Sequence, residues 1–225
     1  LHYNNHTREL TAVGGTNNKE NALGFNVRLD LSDSVNLSKN KIALKAKTYP
    51  IKVLENFIGN LFADMNGYLT GDVDITGDLR YPAVTGKGRL KDAGLRIKYT
   101  QCYYKIEDKD IELTNSLIDL NGLVLRDTVT GNPIYVSGGI EHEAFSHMFY
   151  NLNISTQKPA TIDPNYNKPV QLLKTTKQDN SIFFGDVKGT GSLKLYGPQA
   201  ELVMTLKAVA SEKDSSYVTL PAEST

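Results

Sequence analysis

The sequence has a single cysteine, Cys102, and no tryptophan. One cysteine cannot build an internal disulfide framework or a cysteine metal cluster, so its default role is that of a small apolar side chain. The missing tryptophan removes the buried indole that often marks an immunoglobulin-like sandwich. Net charge is absent too: 25 Lys and Arg balance 25 Asp and Glu. Without a long-range positive field the chain is not expected to gather nucleic acid or an anionic membrane. No apolar run approaches the ~18 residues of a membrane helix, and Leu1 opens the chain without the charged and apolar regions of a signal peptide. The missing initiator methionine and the start in mid-pattern are read as a piece of a longer protein, whose anchor or export signal is expected outside residues 1–225. Within that length a single β domain is expected.

The dominant pattern has a period of two, the mark of strands with one wet and one buried face. Leu23, Phe25, Val27, Leu29 and Leu31 alternate with Gly24, Asn26, Arg28 and Asp30. Leu69, Val73, Ile75 and Leu79 oppose Thr70, Asp72, Asp74, Thr76, Asp78 and Arg80. Shorter runs repeat the theme at Leu95, Ile97 and Tyr99, at Ile111 and Leu113, at Leu193 and Leu195, and at Leu202, Met204 and Leu206. Turn signals at 107–110, 130–133 and Lys87-Gly88 separate roughly a dozen expected strands. The spacing of Ile51, Leu54, Phe57, Ile58 and Leu61 after Pro50 changes to three and four and predicts a short amphipathic helix, read as a cap. A second helical turn is expected over 141–149. Residues 156–170, with Pro159, Pro164 and Pro169, are expected to form a long loop.

Those apolar faces must leave water, at ~25 cal/mol per Å². Two architectures do this: a sandwich of two sheets, or a sheet curled around its own apolar face into a trough. The sequence pattern leaves both open.

Motifs of chemistry fail on their spacing. Asp72-Val-Asp74-Ile-Thr76-Gly77 starts like a calcium loop, but its twelfth position is Ala83 where a bidentate glutamate is needed. His142-Glu143 is followed by His147, five residues on, where a zincin helix needs four. Gly189-Thr-Gly191-Ser-Leu-Lys194 lacks P-loop spacing. Cys102 stands beside Tyr103 and Tyr104 with no local histidine to activate it. The twelve tyrosines suit half-buried strand positions. No enzymatic activity, metal or cofactor is expected.

Several segments in order resemble the TamB family of AsmA-like envelope proteins, in the form found in Bacteroidota-type bacteria. They are the helix-like stretch from Pro50 to Gly67; Gly71-Asp-Val-Asp-Ile-Thr-Gly77 through Tyr81-Pro82 with Gly86-Lys-Gly88; Gly138-Gly-Ile-Glu-His142 with Phe145 and Leu152-Asn-Ile154; and Gly185 through Pro198 with Leu202 to Leu206 and Val218 to Pro221. The resemblance implies an all-β fold: an elongated, curled, taco-like, antiparallel-rich sheet with an apolar concave groove. It further implies a periplasmic segment of a protein anchored in the inner membrane. Such a protein would meet a TamA-type outer-membrane barrel and carry phospholipid between membranes, or serve outer-membrane protein clients by β-augmentation. The groove residues expected to solvate acyl chains are Leu23, Phe25, Val27, Leu29, Val73, Ile75, Leu79, Leu95, Ile97, Leu193, Leu195, Met204 and Leu206.

Overall fold

The structure, a computed structural model, describes residues 1–16, 18, 20–32 and 39–220. Pro221 of the closing motif and the Phe57 side chain lie outside what it describes. Sixteen strands among the described residues join one antiparallel sheet. In chain order they are β1 (His2–Asn4), β2 (Glu9–Gly15), β3 (Ala22–Asp30), β4 (Lys41–Pro50), β5 (Phe62–Thr76), β6 (Ala83–Ile97), β7 (Cys102–Ile106), β8 (Lys109–Leu113), β9 (Leu117–Asp119), β10 (Val124–Asp127), β11 (Pro133–Glu143), β12 (Ser146–Ser155), β13 (Val170–Thr175), β14 (Phe184–Pro198), β15 (Val203–Ala210) and β16 (Tyr217–Thr219).

The first six strands form a meander. The far edge of β6 is then shared, with β8 along Gly86–Leu90 and β7 along Gly94–Ile97. The pairs β8–β9 and β7–β10 each lead to β11, and the sheet continues through β12 to β14. On one edge of β14 lie β12 and β13, and on the other β15 and β16. The proline-bearing stretch 156–169 runs between β12 and β13, with one isolated bridge from Gln157 to Asn167.

The sheet curls where its long strands β4, β5 and β6 are bulged. Register slips between Ala46 and Tyr49, and twice between Ala63 and Tyr68. Thr48, Asp64 and Asp92 there have positive φ, and such bulges bend a strand and sharpen its twist. Gly67 (φ 98°) cannot be replaced cheaply, since a Cβ would stand 2.4 Å from the Ala93 Cα. Below these bulges the late strands fold back over the middle ones. Lys174 N donates to Thr100 O at 2.9 Å, the Tyr104 hydroxyl donates to Gln171 O at 2.6 Å, and Gln171 N donates to the buried Asp127 carboxylate at 3.0 Å.

The fold is therefore an all-β curled sheet, one of the two architectures the alternation left open, with its core inside the curl. Met65, Leu95, Cys102, Tyr104, Ile106, Leu125, Ile134, Leu152, Val170 and Leu195 belong to one buried cluster. The helix-like stretch closes on it as a 3₁₀ turn (Ile51–Leu54) and one turn of α-helix, α1 (Glu55–Ile58). Ile51 is buried in the cluster, and Leu54, Ile58 and Leu61 pack against it.

Three local expectations need correction. Residues 141–149 are a hairpin between β11 and β12, and its two central residues, Ala144 (φ 50°) and Phe145 (φ 63°), are both left-handed. Turns of that kind usually declare themselves by Asn-Gly or Asp-Gly, and Ala-Phe carries no such signal. Lys87-Gly88 is no turn but the middle of β6, where a Cβ on Gly88 would reach within 2.6 Å of the Leu69 side chain. The glycine serves close packing. The strand count exceeds a dozen because β1, β9 and β16 are only three residues each, too short for periodicity to show.

Candidate functional site: one apolar face across the sheet

Residues directly opposed in an antiparallel sheet point to the same side, so the register assembles the faces. One row runs Phe25, Leu44, Val73, Gly86, Leu113, Ile118, Ile140 and Tyr150 across eight strands. The next row on one side runs Val27, Ile42, Ile75 and Val84. On the C-terminal side Leu152, Leu195 and Met204 align, as do Ile154, Leu193 and Leu206. All lie on the inner side of the curl. The opposite side is charged: Lys45, Asp72, Lys87, Glu112 and Asp119 stand in one row. Lys41–Asp74 (3.0 Å), Arg89–Asp110 (2.9 Å) and Arg96–Asp64 (2.6 Å) pair across strands there. Such exposed pairs add at most about 1 kcal/mol each; their effect is to keep the convex side wet.

Twelve of the thirteen expected groove residues sit on strands of this inner face. Leu79 does not: it lies in the turn after β5, which ends at Thr76, and is exposed. The face is graded. On β3, Leu23, Val27 and Leu29 are half-buried and Phe25 is 41% exposed. On β5, Val73 and Ile75 are half-buried, as is Ile97 on β6. In the centre Leu95 and Leu195 are buried within the core cluster, with Leu193 half-buried beside them. On β15, Met204 (44%) and Leu206 (59%) are exposed again. The trough is thus filled with its own side chains at the centre and open along both flanks. Leu44, Ile118, Ile140, Tyr150 and Leu152 complete the face; of their strands, β9 is too short and β11 too interrupted by Gly138 and Gly139 for alternation to show.

Where the turn after α1 and the end of β6 face the β14–β15 connection, a cavity of about 550 Å³ opens. Ile58, Asn60, Leu61, Lys98 and Tyr99 line it from one side and Gln199, Ala200, Leu202 and Met204 from the other, with the buried Tyr150 between. Sequence reading missed it, because its walls lie about a hundred or more residues apart in the chain.

The remaining motif residues do not converge. Cys102 is buried, and burial pushes its thiol up to about 11; Sγ donates to Thr100 O at 3.4 Å, an arrangement that keeps it protonated and unreactive. His142 is buried and stacked on Phe145, its pKa lowered by burial, whereas His147 pairs with Glu143 at 3.3 Å on the exposed turn. Asp72 and Asp74 face outward among lysines. Among the described residues no three His, Cys, Asp or Glu side chains group as metal ligands, and no helix is long and apolar enough to cross a membrane.

What fold and face define together is a class of architecture: a coiled antiparallel sheet with a wet convex side and a continuous apolar inner side open at its flanks. In comparisons with protein-family models, curated proteins and solved structures, the chain matches none.

Proposed function

We propose that this chain is a segment of a TamB-like hydrophobic-groove protein that shelters phospholipid acyl chains on their way between the inner and outer membranes. The observation that carries the reading is the unbroken apolar face from β3 to β15, exposed at both ends and filled only at its centre. Acyl chains laid along such a face leave water by the same term that buries the core, and the charged convex side stays solvated. No residue performs chemistry. In this reading the full-length protein is anchored in the inner membrane, crosses the periplasm and meets a TamA-type outer-membrane barrel.

The test is a photo-crosslinking amino acid placed in cells at Phe25 or Val73 on the inner face and at Thr85 on the outer. Phospholipid adducts are expected from the first two and not from the third, and Val73→Asp is expected to lower the yield at Phe25 while the protein stays folded. Equal labelling of both faces would overturn the reading.

A second reading, a scaffold that receives client strands by β-augmentation, is favoured by β15. All eight of its residues are exposed and, among the described strands, it pairs with β14 alone. A crosslinker at Thr205 that captured outer-membrane protein strands and no lipid would select this reading.

A further inference from the structure

We propose that the cavity between α1 and the β14–β15 connection is a headgroup site, taking the phosphate and first ester of an anionic glycerolipid; the inference rests on the groove reading above and gives it a specific docking point. Its volume of about 550 Å³ falls within the range of small-molecule sites. Its wall is divided in the manner of an amphiphile. Ile58, Leu61, Leu202 and Met204 supply apolar surface; the first three also pack on the core, and Met204 is exposed on β15, so the cavity adjoins the open flank of the face. The charged residue of the lining is Lys98, which is exposed and has no ion-pair partner among the described residues.

The second, independent feature is Tyr150. Only 2% of it is exposed, yet no described residue hydrogen-bonds its hydroxyl. That hydroxyl is also not walled off, in contrast to the partnerless His142 Nε2, which is fully enclosed. A buried phenol ordinarily finds an acceptor. Tyr150 belongs to the apolar row that starts at Phe25, so an acceptor bound there would sit where the groove meets the cavity. An ester carbonyl one step from a phosphate suits Tyr150 and Lys98 together, while the acyl chain continues along the face.

Titration of the full chain with palmitoyl lysophosphatidylglycerol, monopalmitoylglycerol and glycerol 3-phosphate, followed by native mass spectrometry, tests this. The charged lipid is expected to bind at least tenfold more tightly than the uncharged one, and the chainless head to bind not at all. Lys98→Gln should erase the preference between the two lipids, Tyr150→Phe should weaken both about fivefold, and Ala200→Trp should fill the cavity and weaken both further. Circular dichroism keeps the comparison to folded variants. Lipid binding that none of the three substitutions alters overturns the cavity site and leaves the groove standing. If the unaltered chain binds neither lipid, the groove reading falls with it, and binding of glycerol 3-phosphate as tight as that of the lipid would mark a phosphate site without a lipid role.

Discussion

Leu195 and Leu206 lie on the same inner face of neighbouring strands, but Leu195 is 3% exposed and Leu206 59% exposed. Truncating each to alanine separates a filled core from an open groove. For Leu195→Ala the lost side chain takes transfer free energy with it and leaves a hole that Tyr104, Leu152 and their neighbours in the cluster cannot fully close, so the expected cost is about 2–5 kcal/mol. For Leu206→Ala less than half of the side chain was shielded and no cavity forms; the expected cost is below about 1 kcal/mol. In a chain of this size the first should lower Tm on the order of 10 °C and the second by no more than about 3 °C. Urea melts followed by far-ultraviolet circular dichroism read the same difference as a shift in midpoint at constant slope. Equal losses would refute the division of the face, since they would mean that β15 is covered in solution and the flank is not open.

Asp127, buried, accepts from Val129 N (3.1 Å), Thr130 N (2.9 Å), Thr130 Oγ1 (2.6 Å) and Gln171 N (3.0 Å); Asp127→Ala strands these donors and should cost at least about 2–3 kcal/mol in a thermal melt. Cys102, its thiol raised to about 11 by burial, should resist an aromatic disulfide reagent at pH 8 in the native protein and react at once in denaturant. The lowered pKa of His142 means that the unfolded chain takes up its proton first as pH falls. Stability should therefore decline below the ordinary histidine value near 6.5 until the lower folded pKa is reached, and His142→Phe should flatten that part of the stability–pH curve. The carboxylates with lowered pKa, Asp30, Asp78, Asp179 and Asp214, act in the same direction but only near and below pH 4.

Much of this molecule was legible along the chain because a strand repeats every two residues, and a clean alternation such as Leu23 to Leu29 reports both the strand and its inner side. Leu193 and Leu195, or Met204 and Leu206, read as easily. Alternation could not reveal Gly86 and Gly88, which occupy inner positions so that Val73 and Leu69 have room. Nor could it reveal Leu79, where the alternation runs on past the true end of β5. The hairpin at Ala144 and Phe145 was hidden by its chemistry, two side chains held at positive φ without the usual turn residues.

By itself the sequence determined that this is a β protein with one wet and one apolar side, since that information is local and written in neighbouring residues. Which parts of the apolar side become core and which stay surface follows from the way the sheet closes on itself. Leu195 and Leu206 carry the same signal; their difference arises because the bulges near Thr48, Asp64 and Asp92 turn the sheet, and because β13 returns over β7 through Lys174 and Thr100. That closure joins residues more than seventy positions apart, and the cavity gathers Lys98, Tyr150 and Met204 from three separate stretches of the chain. No periodicity within a strand can encode a contact whose two halves belong to different ends of a curl.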